Sequence, residues 1–306
     1  MSLSLVKYFT YLLLIQKSLA EININITLAS TKGAAKLICT GSDLKLVTEK
    51  EIKLYNITDR NLKISVKEDF GKEPDEVFLK DPTDYGYVYY KYHWNQIYRK
   101  VQVKAAEIVD IVNKEVVLTV RNHINNTTRK AKVKIDLYET VKTTISSFWD
   151  KDAFEDNIYY NINTFYFKTK LSFNNTWKNN NFKSLTSIIG SKSVGFVDIE
   201  PGRTVTTTLA AKSTILLVKI VYASSLIGNL FANYARLFGK YHFWAPPISE
   251  VMKFGNLRNE IIVNELIEIK SYTDPVIYVI DKETGKKVPL MFDNKPFHKR
   301  KQKKLN

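Results

Sequence analysis

From Asn163 to Trp177 the chain alternates. Asn163, Phe165, Phe167, Thr169, Leu171, Phe173, Asn175 and Trp177 fall on one side of an extended backbone; Thr164, Tyr166, Lys168, Lys170, Ser172, Asn174, Thr176 and Lys178 fall on the other. A β-strand sends successive side chains to opposite faces. The pattern therefore predicts a single strand of about fifteen residues, where an ordinary one has about 5–6. Two readings fit it. One is a long strand of an elongated antiparallel sheet with one face on a core. The other is a strand able to hold lipid on one side and water on the other, as in a barrel whose strands cross in about 9–11 residues. The polar stretch Trp177–Asn181 reads as a turn, and FKSLTSIIGSKSVGFVDI returns as strand, so residues 163–197 read as a hairpin with a polar tip.

The rest of the chain predicts more strands. EININITLA, KLICTG, LKLVTEKEIKLYNIT, the tyrosine-dense stretch at 85–103, EIVDIVNKEVVLTVRNHI and KAKVKIDLYETVKTTISSFW precede the alternating segment. TVTTTLAAKSTILLVKIVYASSL, NEIIVNELIEIKSY and PVIYVIDKETGKKVPL follow it, with turns at Pro201-Gly202 and Glu283-Thr284-Gly285. Residues 68–82 read as an acidic turn-rich patch and Gly228–Gly255 as irregular; no segment predicts a long helix. Short regular strand spacing of this kind makes the fold all-β.

Composition adds the setting. Lys7, the apolar run Tyr8–Ile15 and the small-x-small site Ser18-Leu19-Ala20 read as a secretory signal peptide over residues 1–20. No later stretch is long and apolar enough for a membrane helix; Leu209–Phe231 is broken by Lys212 and Lys219. Sequons at Asn25, Asn56, Asn125, Asn126 and Asn174 are candidate glycan sites. The one cysteine, Cys39, excludes an internal disulfide, and it reads as a small core residue or an intermolecular partner. Of the net charge of +15, six positive charges lie in the basic tail 295–306, which reads as a solubilising tail or a processing site. A basic surface suits anionic membranes or glycans, and secretion argues against nucleic acid.

Catalytic chemistry is not indicated. His93, His123, His242 and His298 are scattered, with no zinc spacing, no nucleophile elbow and no phosphate loop, so no metal or cofactor is expected. The aromatic-basic stretch with Tyr89, Tyr90, Tyr92 and Trp94 suits stacking on a glycan or a receptor surface, although packing is the more ordinary job for most such residues.

Three blocks then form a pattern: VYYKYHWNQIYRKVQVKAAEIVD at 88–110, ETVKTTISSFWDKDAF at 139–154, and residues 197–248 with EPGRTV, YASSLIGN and the Asn233–Trp244 block. The pattern resembles the aerolysin-like β-pore-forming proteins, in the secreted insect branch related to spherulin that includes caterpillar venom toxins and lepidopteran follicle or egg proteins. Lys240 departs from it, since that branch more often has Gly-His-His-Phe after Tyr-x-Gly. The resemblance implies a secreted, elongated all-β protein with a receptor- or glycan-binding head at 21–142 and a pore-forming module at 143–294. It implies a homo-oligomer on a target cell membrane, into which one hairpin per subunit inserts. The candidate insertion residues are then Phe165, Phe167, Leu171, Phe173 and Trp177 toward lipid and Lys168 and Lys170 toward water. The expected function is a non-enzymatic pore-forming venom toxin. A structural or storage protein of egg with the same fold, or a carbohydrate-binding module, remain alternatives.

Overall fold

In the computed structural model, residues 21–150, 158–164, 168–173 and 181–290 are described. The signal segment, the basic tail, Asn174, Trp177, Phe165 and Phe167 lie outside them, and of Lys168, Lys170, Leu171 and Phe173 the backbone alone is described. The fold is all-β and elongated, as expected.

Three strands make its spine: β5 (Tyr98–Ile124), β10 (Thr204–Ile227) and β13 (Ile261–Asp281). The Thr, Val and Ile residues that fill β10 suit a pleated backbone. At about 3.3 Å per residue, β10 runs on the order of 80 Å. β10 pairs antiparallel with β5 from Thr204 to Ile227 and with β13 from Val205 to Ser224. Register shifts at Leu209/Ala210, Leu217/Val218 and Val221/Tyr222 add twist to this length. β13 is one strand where the sequence suggested two. Pro275 has no N–H to pair, and it follows Asp274 at the register shift Ala210/Lys212, where Asp274 takes φ +48°. Beyond β13 come β6 (Ala131–Trp149) and β9 (Asn181–Ile199), so the long sheet is ordered β3-β5-β10-β13-β6-β9 with β3 at Ser42–Leu46 and β14 (Lys287–Leu290) beside β13.

A second sheet lies on part of this one, ordered β2-β1-β7-β8. Its strands are β1 (Ile22–Thr27), β2 (Lys36–Thr40), β7 (Ile158–Asn163) and β8 (Lys168–Phe173). Ile22, Ile24 and Ile26 and Ile158, Tyr160 and Ile162 form its buried face, against Leu216, Val218, Ile220 and Tyr222 of β10 and Ile267 and Ile269 of β13. The reading of one strand from Asn163 to Trp177 is corrected here. The chain turns between Asn163 and Lys168, and β8 folds back on β7 with Ile158 opposite Phe173. The hairpin 163–197 is not formed either: β9 pairs along its length with β6, from Ser147 opposite Asn181 to Ala131 opposite Ile199. The cause is visible in the sequence, since the apolar set steps from the even positions Ile158, Tyr160 and Ile162 to the odd positions Phe165, Phe167, Leu171 and Phe173.

A head closes one end. Helices α1 (Glu49–Leu54), α2 (Asp59–Phe70) and α4 (Ile248–Phe254) pack around Leu226, Leu230, Ala232 and Tyr234. Helix α2 spans twelve residues and was not foreseen. Thr58 caps it by accepting from Asn61 N, Gly71 ends it at φ +78°, and Leu62 and Val66 form its buried stripe. The small sheet β12-β11-β4 completes the head, with β4 at Glu76–Phe78, β11 at Phe231–Phe238 and β12 at Tyr241–Trp244; the supposedly irregular Gly228–Gly255 is therefore ordered. The expected boundary at residue 142 falls inside β6, and β5, assigned to the head, is a spine strand.

The sequons separate by environment. Asn56 and Asn126 are exposed. Asn25 sits in the middle of its sheet, accepting from Asn161 Nδ2 at 2.8 Å. Asn125 is 2 % exposed. Its Nδ2 donates to Arg129 O and Ile199 O, and its Oδ1 accepts from Thr127 N and Oγ1. A glycan on Asn125 is incompatible with this fold, so that candidate is withdrawn. Asn125→Ala, which removes the amide donor to the Ile199 carbonyl and the acceptor of Thr127 N and Oγ1, should cost about 1–3 kcal/mol in denaturant unfolding; an unchanged midpoint would show the loop to be held by other contacts.

Candidate functional site

Two places bear on function, and the head cleft is the first. One wall is the stretch from Tyr85 to Trp94, expected as a strand but built as a turn and the short helix α3 (Val88–Tyr92). Asp81 fixes that helix: its carboxylate accepts from Tyr89 N at 3.2 Å and Tyr90 N at 3.1 Å. Tyr89 is the anchor. It is 1 % exposed, its hydroxyl donates to Phe78 O at 2.6 Å, and it accepts from Phe231 N at 3.1 Å. Tyr89 is therefore a packing residue and not a contact for a ligand. Burial holds its phenol protonated, well above the ordinary range. With Tyr89 inside, its neighbours turn out: Tyr90 is 81 % exposed, and Tyr92 is exposed and stacks on Trp94 with centroids 5.0 Å apart.

The other wall comes from the β11–β12 hairpin. Phe243 meets Tyr85 edge-on at 5.3 Å and Tyr92 at 6.2 Å, while Trp244 braces Tyr241 at 5.9 Å. Between the walls lies a cleft of about 850 Å³ lined by Tyr85, Tyr92, Trp94, Tyr241, Phe243 and Trp244, with Lys240 and His242 also at its border. Two of the lining residues, Tyr85 and Asn233, are held by Glu76, which accepts from Tyr85 Oη at 2.5 Å and from Asn233 Nδ2 at 2.9 Å. The Tyr85 bond foremost, then that of Asn233, holds the Glu76 carboxyl below its usual range, and the same bond raises the Tyr85 phenol. Ring faces with hydroxyl and amide rims can stack on a sugar and hydrogen-bond its edge. Tyr92 and Trp94 were legible in the sequence; Tyr85, Tyr241, Phe243 and Trp244 were not chosen, because they come together only when β11 pairs with β4 and β12.

The second place is the docked β7–β8 hairpin with the β6–β9 ladder beneath it. β6 and β9 are neighbours in the long sheet, and the chain that joins them carries β7 and β8. On β8, Thr169, Leu171 and Phe173 stand opposite Ile162, Tyr160 and Ile158, so they share the register of the buried face; Lys168, Lys170 and Ser172 share that of Asn163, Asn161 and Tyr159. The described insertion candidates thus fall into two registers of one small hairpin, Leu171 and Phe173 in one and Lys168 and Lys170 in the other. Cys39, on β2, is half-buried against the core beside it, and burial, with the Glu265 charge second, pushes its thiol up to about 11. Such a thiol stays protonated and inert. Among the described residues, no cluster of His, Cys, Asp and Glu fits a metal ion, and no helix is long and apolar enough to cross a membrane.

No protein-family model matches the chain. It is 27 % identical to a U-megalopygitoxin(8) of Megalopyge opercularis over 251 residues, covering 81 % of this chain and 87 % of that protein. A second U-megalopygitoxin(8) of that species is 26 % identical over 293 residues, covering 94 % of each chain. Among solved structures the parasporin-2 toxin of Bacillus thuringiensis superposes with a TM-score of 0.51 at 16 % identity, covering 81 % of this chain and 100 % of that one. The chain is thus similar in sequence to the U-megalopygitoxin(8) proteins, and its fold is that of the aerolysin-like β-pore-forming toxins.

Proposed function

We propose that this chain is a secreted toxin that permeabilises cells: the head cleft engages a receptor or glycan, copies join side by side, and the segment between β6 and β9 re-pairs into a transmembrane barrel. The observation that carries this reading is where the hairpin sits. β6 and β9 form a long ladder whose last described pair is Ser147 opposite Asn181, and the residues between them include a hairpin with two registers folded onto the sheet. Extending the ladder through residues 150–180 would give two strands of about fifteen residues, enough for a crossing of about 9–11. The tip would then lie near residues 164–167 and not at 177–181.

The sheet edges support joining to a second copy. β3 covers β5 at Tyr98–Gln102, and from Val103 to Ile124 no described strand lies on its outer side; β9 is likewise open beyond β6. Val112, Val117, Val120 and Ile124 on β5 and Phe182 and Phe196 on β9 are exposed. An open strand is a template for another chain. In the free subunit, Lys32 Nζ donates to Val109 O at 3.1 Å and Asn113 Nδ2 to Ser30 O, so a loop leans on that edge. Unlike edges meeting head to tail make a ring where the rotation closes.

The hairpin must leave the small sheet for the pore to form. Asn25 and Asn161 face each other across β1 and β7. Cysteines at both positions, in a Cys39→Ser background, should block leakage when oxidised and restore it on reduction; equal leakage in both states would show that β7 stays docked in the active form. Lysines facing the lumen favour anions. Lys168→Glu with Lys170→Glu should turn the pore toward cations, and unchanged selectivity would place these residues outside it. For the head, Tyr92→Ala with Tyr241→Ala should lower binding to target cells about tenfold, in line with about 1–3 kcal/mol for stacking groups; full binding by a folded double variant would move the receptor contact elsewhere.

A further inference from the structure

The small sheet and the long sheet meet at one carboxyl. Glu265, on β13, has no exposed surface. Ser147 Oγ on β6 donates to its Oε1 at 2.7 Å, and the Tyr222 hydroxyl on β10 donates to its Oε2 at 2.7 Å. The Tyr160 hydroxyl on β7 reaches both oxygens, at 2.8 and 2.7 Å, and lies 3.3 Å from the Tyr222 hydroxyl. Three of these four residues belong to the long sheet. Tyr160 alone belongs to the small one, and it is carried by the hairpin that the proposed function requires to leave.

The surroundings give the carboxyl no counter-charge. On β2 the facing group is Cys39, whose thiol stays protonated. On β7 and β10 the facing groups are Tyr160 and Tyr222, both raised well above their ordinary range, first by burial and then by the Glu265 charge itself. On β6 it is Ser147, which does not titrate, with Trp149 stacked on the Tyr222 ring at 5.1 Å. Facing strand β1 brings isoleucines. Of the charged residues that line the shallow surface cleft that Glu265 borders, Asp150 carries the same sign and Lys219 is exposed. Apolar side chains would pack this position at less cost than a lone carboxyl in a dry core. What the carboxyl adds is a response to protons.

We propose that Glu265 is a proton-operated latch that holds the β7–β8 hairpin on the long sheet through Tyr160, closed while the carboxyl is protonated and loosened when it ionises. Burial, opposed by the hydrogen bonds from Ser147, Tyr222 and Tyr160, raises this carboxyl from 4.5 to about 7 in the closed state. Lifting Tyr160 away admits water, and the carboxyl returns toward its ordinary value. The closed state therefore holds the proton more tightly than the open one. Its advantage is complete below the ordinary value and is lost as pH rises through about 7. At mildly alkaline pH the hairpin opens most readily; at mildly acid pH it is clamped.

The latch belongs to the folded monomer, so it can be tested without any membrane, and its failure would leave the pore-forming reading standing. Hydrogen exchange of residues 158–164 in the full chain, corrected for the intrinsic effect of pH, should show protection falling about tenfold or more from about pH 5.5 to about pH 8.5. Peptides from the paired stretch of β10 and β13 should change little. Glu265→Gln keeps the shape and the hydrogen-bonding groups but cannot ionise, and it should flatten the response. A wild-type hairpin indifferent to pH, a change shared equally by β10 and β13, or the same pH response in Glu265→Gln would each overturn the latch. If Glu265→Gln does not fold, Tyr160→Phe decides: losing that hydroxyl should raise exchange at 158–164 about fivefold at about pH 5.5, and unchanged exchange would overturn the proposal.

Discussion

The structure depends on β10 having a partner on both sides for nearly its whole length. Every backbone group of a strand must find a partner or water. A strand of this length can be buried only if both neighbours are as long, and β5 and β13 are. Its two ends then set the two ends of the molecule. At one end, Leu226 and Leu230 enter the head core, and Gly228 turns the chain at φ +113° where a Cβ would meet Gln96 O at 2.1 Å. At the other, Leu209 packs with Ile135, Leu137 and Ile277. The middle carries Leu216 to Tyr222, on which the small sheet lies.

That small sheet is held by a different balance. Its isoleucines bury well, and each buried side chain of this kind is worth about 1.5–3 kcal/mol. Yet it covers only part of the long sheet, and the ladder it interrupts, between β6 and β9, has its last described pair at Ser147 and Asn181. Here the segment satisfies its backbone folded back as β7–β8; in the proposed pore it would do so drawn out as a continuation of β6 and β9. A buried carboxyl at the seam, without a cation, keeps the first arrangement from being too stable. No disulfide staples it in place. The head cleft is rigid by contrast, its walls fixed by the buried hydroxyl of Tyr89 and the rings around Phe231 and Phe243.

Much of this was legible in the sequence, and the failures have physical causes. The all-β class, the turn at Pro201-Gly202 and the two faces of the hairpin follow from alternation and turn chemistry. The break inside residues 158–173 was also written there: the apolar set runs Ile158, Tyr160, Ile162, then Phe165, Phe167, and a strand cannot change its buried face by one residue without turning or bulging. Helix α2 was missed because its charged residues hid Leu62 and Val66, although Thr58 and Gly71 mark its ends. Tyr89 and Tyr92 look alike in sequence, and only the hydrogen bonds to Phe78 and Phe231 separate anchor from surface. The cleft joins residues some 150 apart, and Glu265 gathers partners from three other strands; no local pattern announces either.

In the proposed mechanism a subunit folded this way opens membranes by rearranging its own strands. The most direct measurement is dye release from lipid vesicles and red cells exposed to the purified mature protein, before and after mild proteolysis, with the product run on a gel in detergent. Leakage is expected together with a detergent-resistant ring. Intact membranes under every condition, with the protein remaining monomeric, would contradict it and leave the two-faced hairpin as ordinary sheet.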